Sequence, residues 1–160
     1  MTTQNQLKAS PLTIEHHAFS SIQIDAAEAE NPKDPHSLRT RRRIEQSPEN
    51  PLRWMVILTV EFNAAKEGDT PPYTGKVTAQ GWFSIAEGYP EEKQAALIEV
   101  TAASILYGAC REMVAGFTAR SYHGIMSIPS VSFAPIQRQE TQTPTAAKKQ
   151  AKKSVSSKKK

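Results

Sequence analysis

Between Trp54 and Phe62 apolar side chains fall on every second position, Trp54, Val56, Leu58, Val60 and Phe62, which is the period of a strand with one face buried. The alternate positions, Met55, Ile57, Thr59 and Glu61, are half apolar, so the second face also calls for a cover, by a helix or by another subunit. A turn-rich segment with Gly68, Asp69, Pro71 and Pro72 follows. The alternation then resumes from Tyr73 to Ile85, with Val77, Ala79, Gly81, Phe83 and Ile85 on one face and Lys76, Thr78, Gln80, Trp82 and Ser84 on the other. Two neighbouring antiparallel strands joined by a long hairpin loop are predicted. Upstream, Ile14, Phe19, Ile22 and Ile24 give an imperfect alternation over Leu12 to Ala26, which fits a first strand with a bulge near Ala18 to Ser20.

After Gly88, Tyr89 and Pro90 the period changes. Glu91 and Glu92 stand where carboxylates favour a helix N-terminus. Leu97 and Ile98, then Ile105, Leu106, Ala109, Cys110, Met113, Val114 and Phe117 recur at spacings of three and four, the stripe of an amphipathic helix. Thr101 is read as the end of a short first helix and the cap of a longer second one running to about Ser121. Beyond it, Gly124 to Phe133 is apolar and extended, Pro129 arguing against a helix. Strand, strand, strand, helix, extended segment describes an α+β layer architecture in which helices cover one face of an antiparallel sheet.

Charge changes the picture at two places. Seven of the 20 basic residues lie in the last 13 positions, from Lys148 to Lys160, so residues 1 to 144 are mildly acidic at −3 while the tail alone carries +7. A run of Ala, Lys, Ser and Thr buries too little surface to offset its ordering entropy, and the tail is expected to be disordered. It is a solvated, solubilising tail or a lysine arm for nucleic acid or another anionic partner; no aromatic residue alternates with the lysines to stack on bases. The second cluster, Arg39, Arg41, Arg42 and Arg43, lies between prolines and fits a surface loop or an edge strand, where charge blocks unwanted strand pairing.

The 160 residues amount to one domain at most. No apolar run approaches the ~20 residues of a membrane helix, and no membrane insertion is expected. The polar N-terminus has no secretory pattern, and the one cysteine, Cys110, forms no internal disulfide. Together these point to the cytoplasm. No P-loop, dinucleotide glycine pattern or metal-ligand spacing occurs, so neither an enzyme nor a cofactor or metal is expected. His16 and His17, adjacent in a strand, point to opposite faces and do not share a metal.

Ile105-Leu106-Tyr107, then Arg111-Glu112, then a helix ending at Arg120 and an apolar run closing on Val131-Ser132-Phe133 resemble the signature half of the SecB export chaperones. In that family a helix of the form I-L-Y/F-P-Y-x-R-E precedes a segment of the form R-G-G-F-P-P-L-L-L-x-P-V-N-F. Gly81-Trp82-Phe83-Ser84-Ile85 is similar to the end of the family's third strand, G-x-F-x-I, and Phe19 to Ala26 resembles its first. The likeness covers residues 12 to 135. It implies a four-stranded antiparallel sheet, a homotetramer built as a dimer of dimers through sheet edges and long helices, and a chaperone for protein export that holds unfolded or secretory polypeptides in apolar grooves without a nucleotide cycle. Residues 1–11 are then a flexible N-terminus, 12–136 a SecB-like chaperone domain and 137–160 the lysine-rich tail.

On this reading Met55, Ile57, Trp82, Ile125, Met126, Ile128 and Phe133 bind clients, since Met and aromatic side chains adapt to many sequences; core packing uses the same residue types. Ile105, Tyr107, Ala109, Arg111 and Glu112 form the subunit contact. The sequence also departs from the family. Gly108 replaces a proline, His123-Gly124-Ile125 replaces F-P-P, a polar tail stands where a second amphipathic helix usually forms one wall of the groove, and Lys76 takes an acidic position of the surface that meets the SecA motor. SecB-like chaperones dedicated to a toxin–antitoxin pair form a second branch, and these departures fit membership there equally well.

Overall fold

The structure, a computed structural model, describes residues 9–134. The chain up to residue 8, the lysine-rich tail with its expected disorder and partners, and the place of the family's second amphipathic helix lie outside the described residues. Four strands form one antiparallel sheet in the order β1-β4-β3-β2: β1 (Leu12–Ala26), β2 (His36–Gln46), β3 (Arg53–Ala64) and β4 (Tyr73–Ile85). The alternation in β3 and β4 does what it predicts. Val56, Leu58, Val60, Phe62, Val77, Ala79 and Phe83 are fully buried, and facing pairs such as Val60 and Val77 stack on one side of the sheet. The arginine cluster resolves as the edge strand, β2.

β1 carries two irregularities in its register against β4, one between Phe19 and Ser21, where a bulge is predicted, and one between Ile14 and His16. Each inserts a residue and shifts the face on which the next side chains fall. Ile14, Phe19, Ile22 and Ile24, of mixed parity in sequence, thereby all oppose residues of the buried face of β4, Phe83, Ala79, Val77 and Gly75.

One continuous rod covers that face: α1 (Glu91–Leu97), a π-helical segment (Ile98–Ala102) and α2 (Ala103–Thr118). Thr101 is therefore neither an end nor a cap, which corrects the two-helix expectation. The helix also stops at Thr118, short of Ser121. The buried row Gln94, Ile98, Ala102, Leu106, Cys110, Val114 and Thr118 has strict four-residue spacing. Such a row drifts about 40° per step around a helix of 3.6 residues per turn, and a wider π turn absorbs part of the drift, so the row stays on the sheet. The widened turn leaves backbone groups to satisfy, and Arg42 of β2 donates to the Glu99 carbonyl at 3.0 Å while its guanidinium lies 3.8 Å from the Glu99 carboxylate.

Past Gly124, whose φ of 75° suits glycine, the chain runs back along α2. Thr118 Oγ1 accepts from the Met126 N–H at 2.8 Å, Arg111 Nε donates to the Ile128 carbonyl at 2.8 Å, and Tyr107 Oη donates to the Pro129 carbonyl at 2.6 Å. Met126 and Ile128 enter the core.

Cys110 sits within this core, and burial pushes its thiol up from 9.0 to about 11. A folded-state value above the unfolded one means that the thiol's contribution to stability is complete below pH 9 and is lost as pH rises through 9 to about 11. The native protein is expected to resist thiol alkylation at pH 8 and to react fully in denaturant. Equal rates in both states would show that Cys110 is not packed inside.

Candidate functional site

Two apolar surfaces remain without a cover among the described residues. The first is the sheet face opposite the helix. Alternation places Met55 and Ile57 of β3 and Trp82 of β4 there, half-buried only by each other and by their polar neighbours. Thr59 and Thr78 share a hydroxyl hydrogen bond of 3.1 Å, and Gln80 Nε2 approaches Met55 Sδ at 2.7 Å. The register shift at Glu15 brings His16 opposite Trp82, where the two rings stack at 4.1 Å with an interplanar angle of 10°.

A depression of about 480 Å³ closes this strip at the β2–β3 turn, lined by Glu15, His16, Glu45, Arg53, Met55 and Trp82. Arg53 grips Glu15 with two guanidinium nitrogens. The hydrogen bonds from Arg53 hold the Glu15 carboxyl below the usual carboxylate range. Both charges stay at the surface, so the pair shapes the rim more than it stabilises the fold.

The second surface lies on the helix side. α2 crosses β3 and β4 and leaves the inner side of β1 partly open around His17 and Phe19. A groove of about 390 Å³ runs between them, lined by His17, Phe19, Ala109, Glu112, Met113, Gly116 and Phe117. Phe117 is 54% exposed, and Ile22 is exposed on β1 beyond it. Among the described residues β1 pairs with β4 alone, and its other edge is free.

The structure separates the residues singled out in the sequence. Met55, Ile57 and Trp82 share one face; Ile125, 70% exposed beside Tyr122, stands apart from them in the turn after α2. Met126 and Ile128, the latter 1% exposed, are core residues that anchor the extended segment. Phe133 is half-buried, edge-on to Tyr107 at 5.7 Å and 5.9 Å beneath the Arg42 guanidinium. Ala109 and Glu112 line the α2–β1 groove and Ile105 is exposed on the same helix, whereas Tyr107 and Arg111 turn the other way to hold the extended segment. His16 and His17 face opposite sides, one against Trp82 and one in the groove. No cluster of three His, Cys, Asp or Glu side chains suited to a metal occurs among the described residues.

Sequence reasoning missed the groove as a unit. Its signal was present: Ile105, Ala109, Met113 and Phe117 form a second apolar row, one residue behind the buried row Leu106, Cys110, Val114 and Thr118. Two such rows are wider than one sheet contact uses.

No family model and no curated protein matches the sequence. Among solved structures, the chain is similar to the Rv1957 SecB-like chaperone of Mycobacterium tuberculosis, in complex with a ChAD peptide from the Rv1956 HigA1 antitoxin. That likeness has 17% identity and a TM-score of 0.61 over 76% of this chain and 91% of that one. A protein of unknown function from Streptococcus agalactiae aligns with a TM-score of 0.48 and 11% identity over 77% of this chain and all of that one. With a four-stranded sheet in this order and a helix laid over it, the chain has the SecB-like fold, in a divergent sequence.

Proposed function

We propose that this protein is an ATP-independent polypeptide-binding chaperone, a holdase that shields apolar segments of unfolded or secretory proteins in the cytoplasm. The observation that carries the reading is the uncovered strip of Met55, Ile57 and Trp82 on a SecB-like sheet. Exposed apolar surface bordered by polar groups is a binding surface in the making, and thioether and indole side chains adapt to segments of differing shape. Ile125 adds a contact where the chain turns back. The free β1 edge and the groove walled by Phe19, Ala109, Met113 and Phe117, with Ile105 and Glu112 nearby, are the surfaces on which copies of the chain meet, as a dimer of dimers. Affinity for a client then sums over many weak contacts along one polypeptide.

The expected result is that stoichiometric protein suppresses aggregation of a chemically denatured client without ATP. A Met55→Ser, Trp82→Ser double variant is expected to keep its far-ultraviolet circular dichroism and to bind such a client about tenfold more weakly, for the apolar area removed. Failure of the unaltered protein to suppress aggregation would remove the proposal.

A second reading, a chaperone dedicated to one partner such as an antitoxin, is supported by the antitoxin peptide in the Mycobacterium tuberculosis complex. A pull-down dominated by one protein favours it over a general holdase. Delivery to SecA has less support. Lys76 is exposed and Gln23 and Asp25 face it and Thr74 across the β1–β4 ladder, so the surface is not uniformly acidic.

A further inference from the structure

β2 is an edge strand of eleven residues whose ladder to β3 is continuous from His36 opposite Ala64 to Gln46 opposite Trp54. On its other side no described strand pairs with it. In an antiparallel ladder every second residue directs its N–H and C=O toward one neighbour, so the outward groups of β2 are available to an added strand. Its two faces differ in chemistry. Arg39, Arg41 and Arg43 oppose Glu61, Thr59 and Ile57 and so lie on the outer face, in a row one strand removed from the Met55–Ile57–Trp82 strip. Leu38, Thr40, Arg42 and Ile44 oppose Phe62, Val60, Leu58 and Val56 and lie on the helix side, where Arg42 is tied to Glu99 and Phe133.

The carboxylates facing the arginine row are Glu61, which pairs with Arg41 at 3.4 Å, and Glu45, which pairs with Arg43. Both arginine side chains remain about three-quarters exposed, at 75% and 74%, so neither guanidinium is used up by its partner. Arg39 makes no ion pair among the described residues.

This arrangement selects among strands. A second β2 laid antiparallel about Arg41 would set Arg39 against Arg43 and Arg41 against itself, and like charges directly opposite are destabilising. The row therefore blocks self-pairing, as charged edges do, while leaving the edge open to a strand of opposite charge. We infer that β2 is the docking edge for an extended polypeptide segment in which acidic and apolar residues alternate. The segment joins as a fifth strand with its carboxylates toward Arg39, Arg41 and Arg43 and its apolar side chains toward Leu38 and Ile44. Main-chain hydrogen bonds supply affinity and the alternation supplies specificity. The inference rests on the polypeptide-binding reading above and names the kind of segment that is bound.

Three labelled eleven-residue peptides test it by fluorescence anisotropy with the full chain: alternating Glu and Val, the same composition with the glutamates grouped, and alternating Lys and Val. The alternating acidic peptide is expected to bind on the order of tenfold tighter than the grouped one, from three cross-strand charge pairs. N-methylation of its alternate amides is expected to abolish binding, and the R39E/R41E/R43E variant to prefer the Lys peptide. These positions are on an exposed edge, and an uncharged unfolded client still held by the triple variant would show that it folds and that only the edge was altered. Equal binding of the grouped or N-methylated peptide, an unchanged preference in the triple variant, or displacement of the peptide by a single-stranded oligonucleotide of equal charge would overturn the inference. Loss of client holding by the unaltered chain with peptide selectivity intact would instead overturn only the chaperone reading.

Discussion

Replacing Gly75 with alanine is expected to destabilise the protein by about 3 kcal/mol and to lower its melting temperature by roughly 10 °C. Gly75 stands opposite Ile24 in the β1–β4 ladder and opposite Phe62 in the β3–β4 ladder. A Cβ built there would lie 2.1 Å from the Gln23 carbonyl oxygen and 3.0 Å from the Ile24 Cα and the end of the Phe62 ring. The nearest obstacle is backbone, which has no rotamer to change, so β1 must move away from β4 over its last turns of the ladder. Gly81 offers the contrast. Its Cβ would meet the Phe83 ring at 2.8 Å and Leu106 Cδ2 at 2.9 Å, both side-chain ends, so Gly81→Ala is expected to have the smaller effect. Thermal melts followed by circular dichroism, with amide exchange read over residues 21–26, separate the two. A Gly75→Ala protein that melts with the wild type and keeps its β1 protection would show that the strands are not so close.

Tyr73→Phe is expected to cost about 3 kcal/mol. The Tyr73 hydroxyl, on a side chain buried at the start of β4, donates to the Gly124 carbonyl at 2.7 Å and accepts from the His123 N–H at 3.0 Å. Removing one oxygen leaves two half-buried backbone groups without that partner, and an orphaned group costs more than a hydrogen bond contributes. The same turn is held by His123, whose Nε2 lies 2.7 Å from the Ala27 carbonyl, so β1, β4 and the end of α2 are joined through one side-chain pair. Loosening it is expected to free Ile125 and the start of the extended segment before the sheet melts. Denaturant melts give the size of the effect. A Tyr73→Phe protein as stable as wild type, with unchanged amide exchange at 123–126, would mean that the turn is held by its apolar contacts alone.

Both changes bear on the proposed binding through the fold. The outer strip and the β2 edge depend on the sheet staying in register, because a one-residue slip would turn Met55, Ile57 and Trp82 inward and Val56, Leu58 and Phe83 outward. Core glycines and buried hydroxyls remote from that strip thus set how well the proposed binding surface is presented.

Much of this was legible in the sequence. Period-two alternation located β3 and β4 and assigned their faces, because a strand's side chains alternate whatever surrounds it. The change to a spacing of three and four located the rod that begins at Glu91, and the helix signature from Ile105 to Glu112 led to the fold. The grouping of Met55, Ile57 and Trp82 on one face followed from the same alternation, whereas its lack of a cover did not. Other features depend on contacts between residues far apart in the chain. Thr101 read locally as a boundary, yet the rod continues through it, because packing on a twisted sheet and an arginine from β2 stabilise a π turn there. The arginine cluster was equally compatible with a loop until pairing with β3 made it an edge. Met126 and Ile128 carry the composition of a binding surface, but Thr118 and Arg111 hold their backbone against α2 and turn them inward. Periodicity and composition settle what one element prefers by itself; which of two apolar faces is covered, and which edge remains open, is a property of the packed sheet, since burial is decided between elements and not within them.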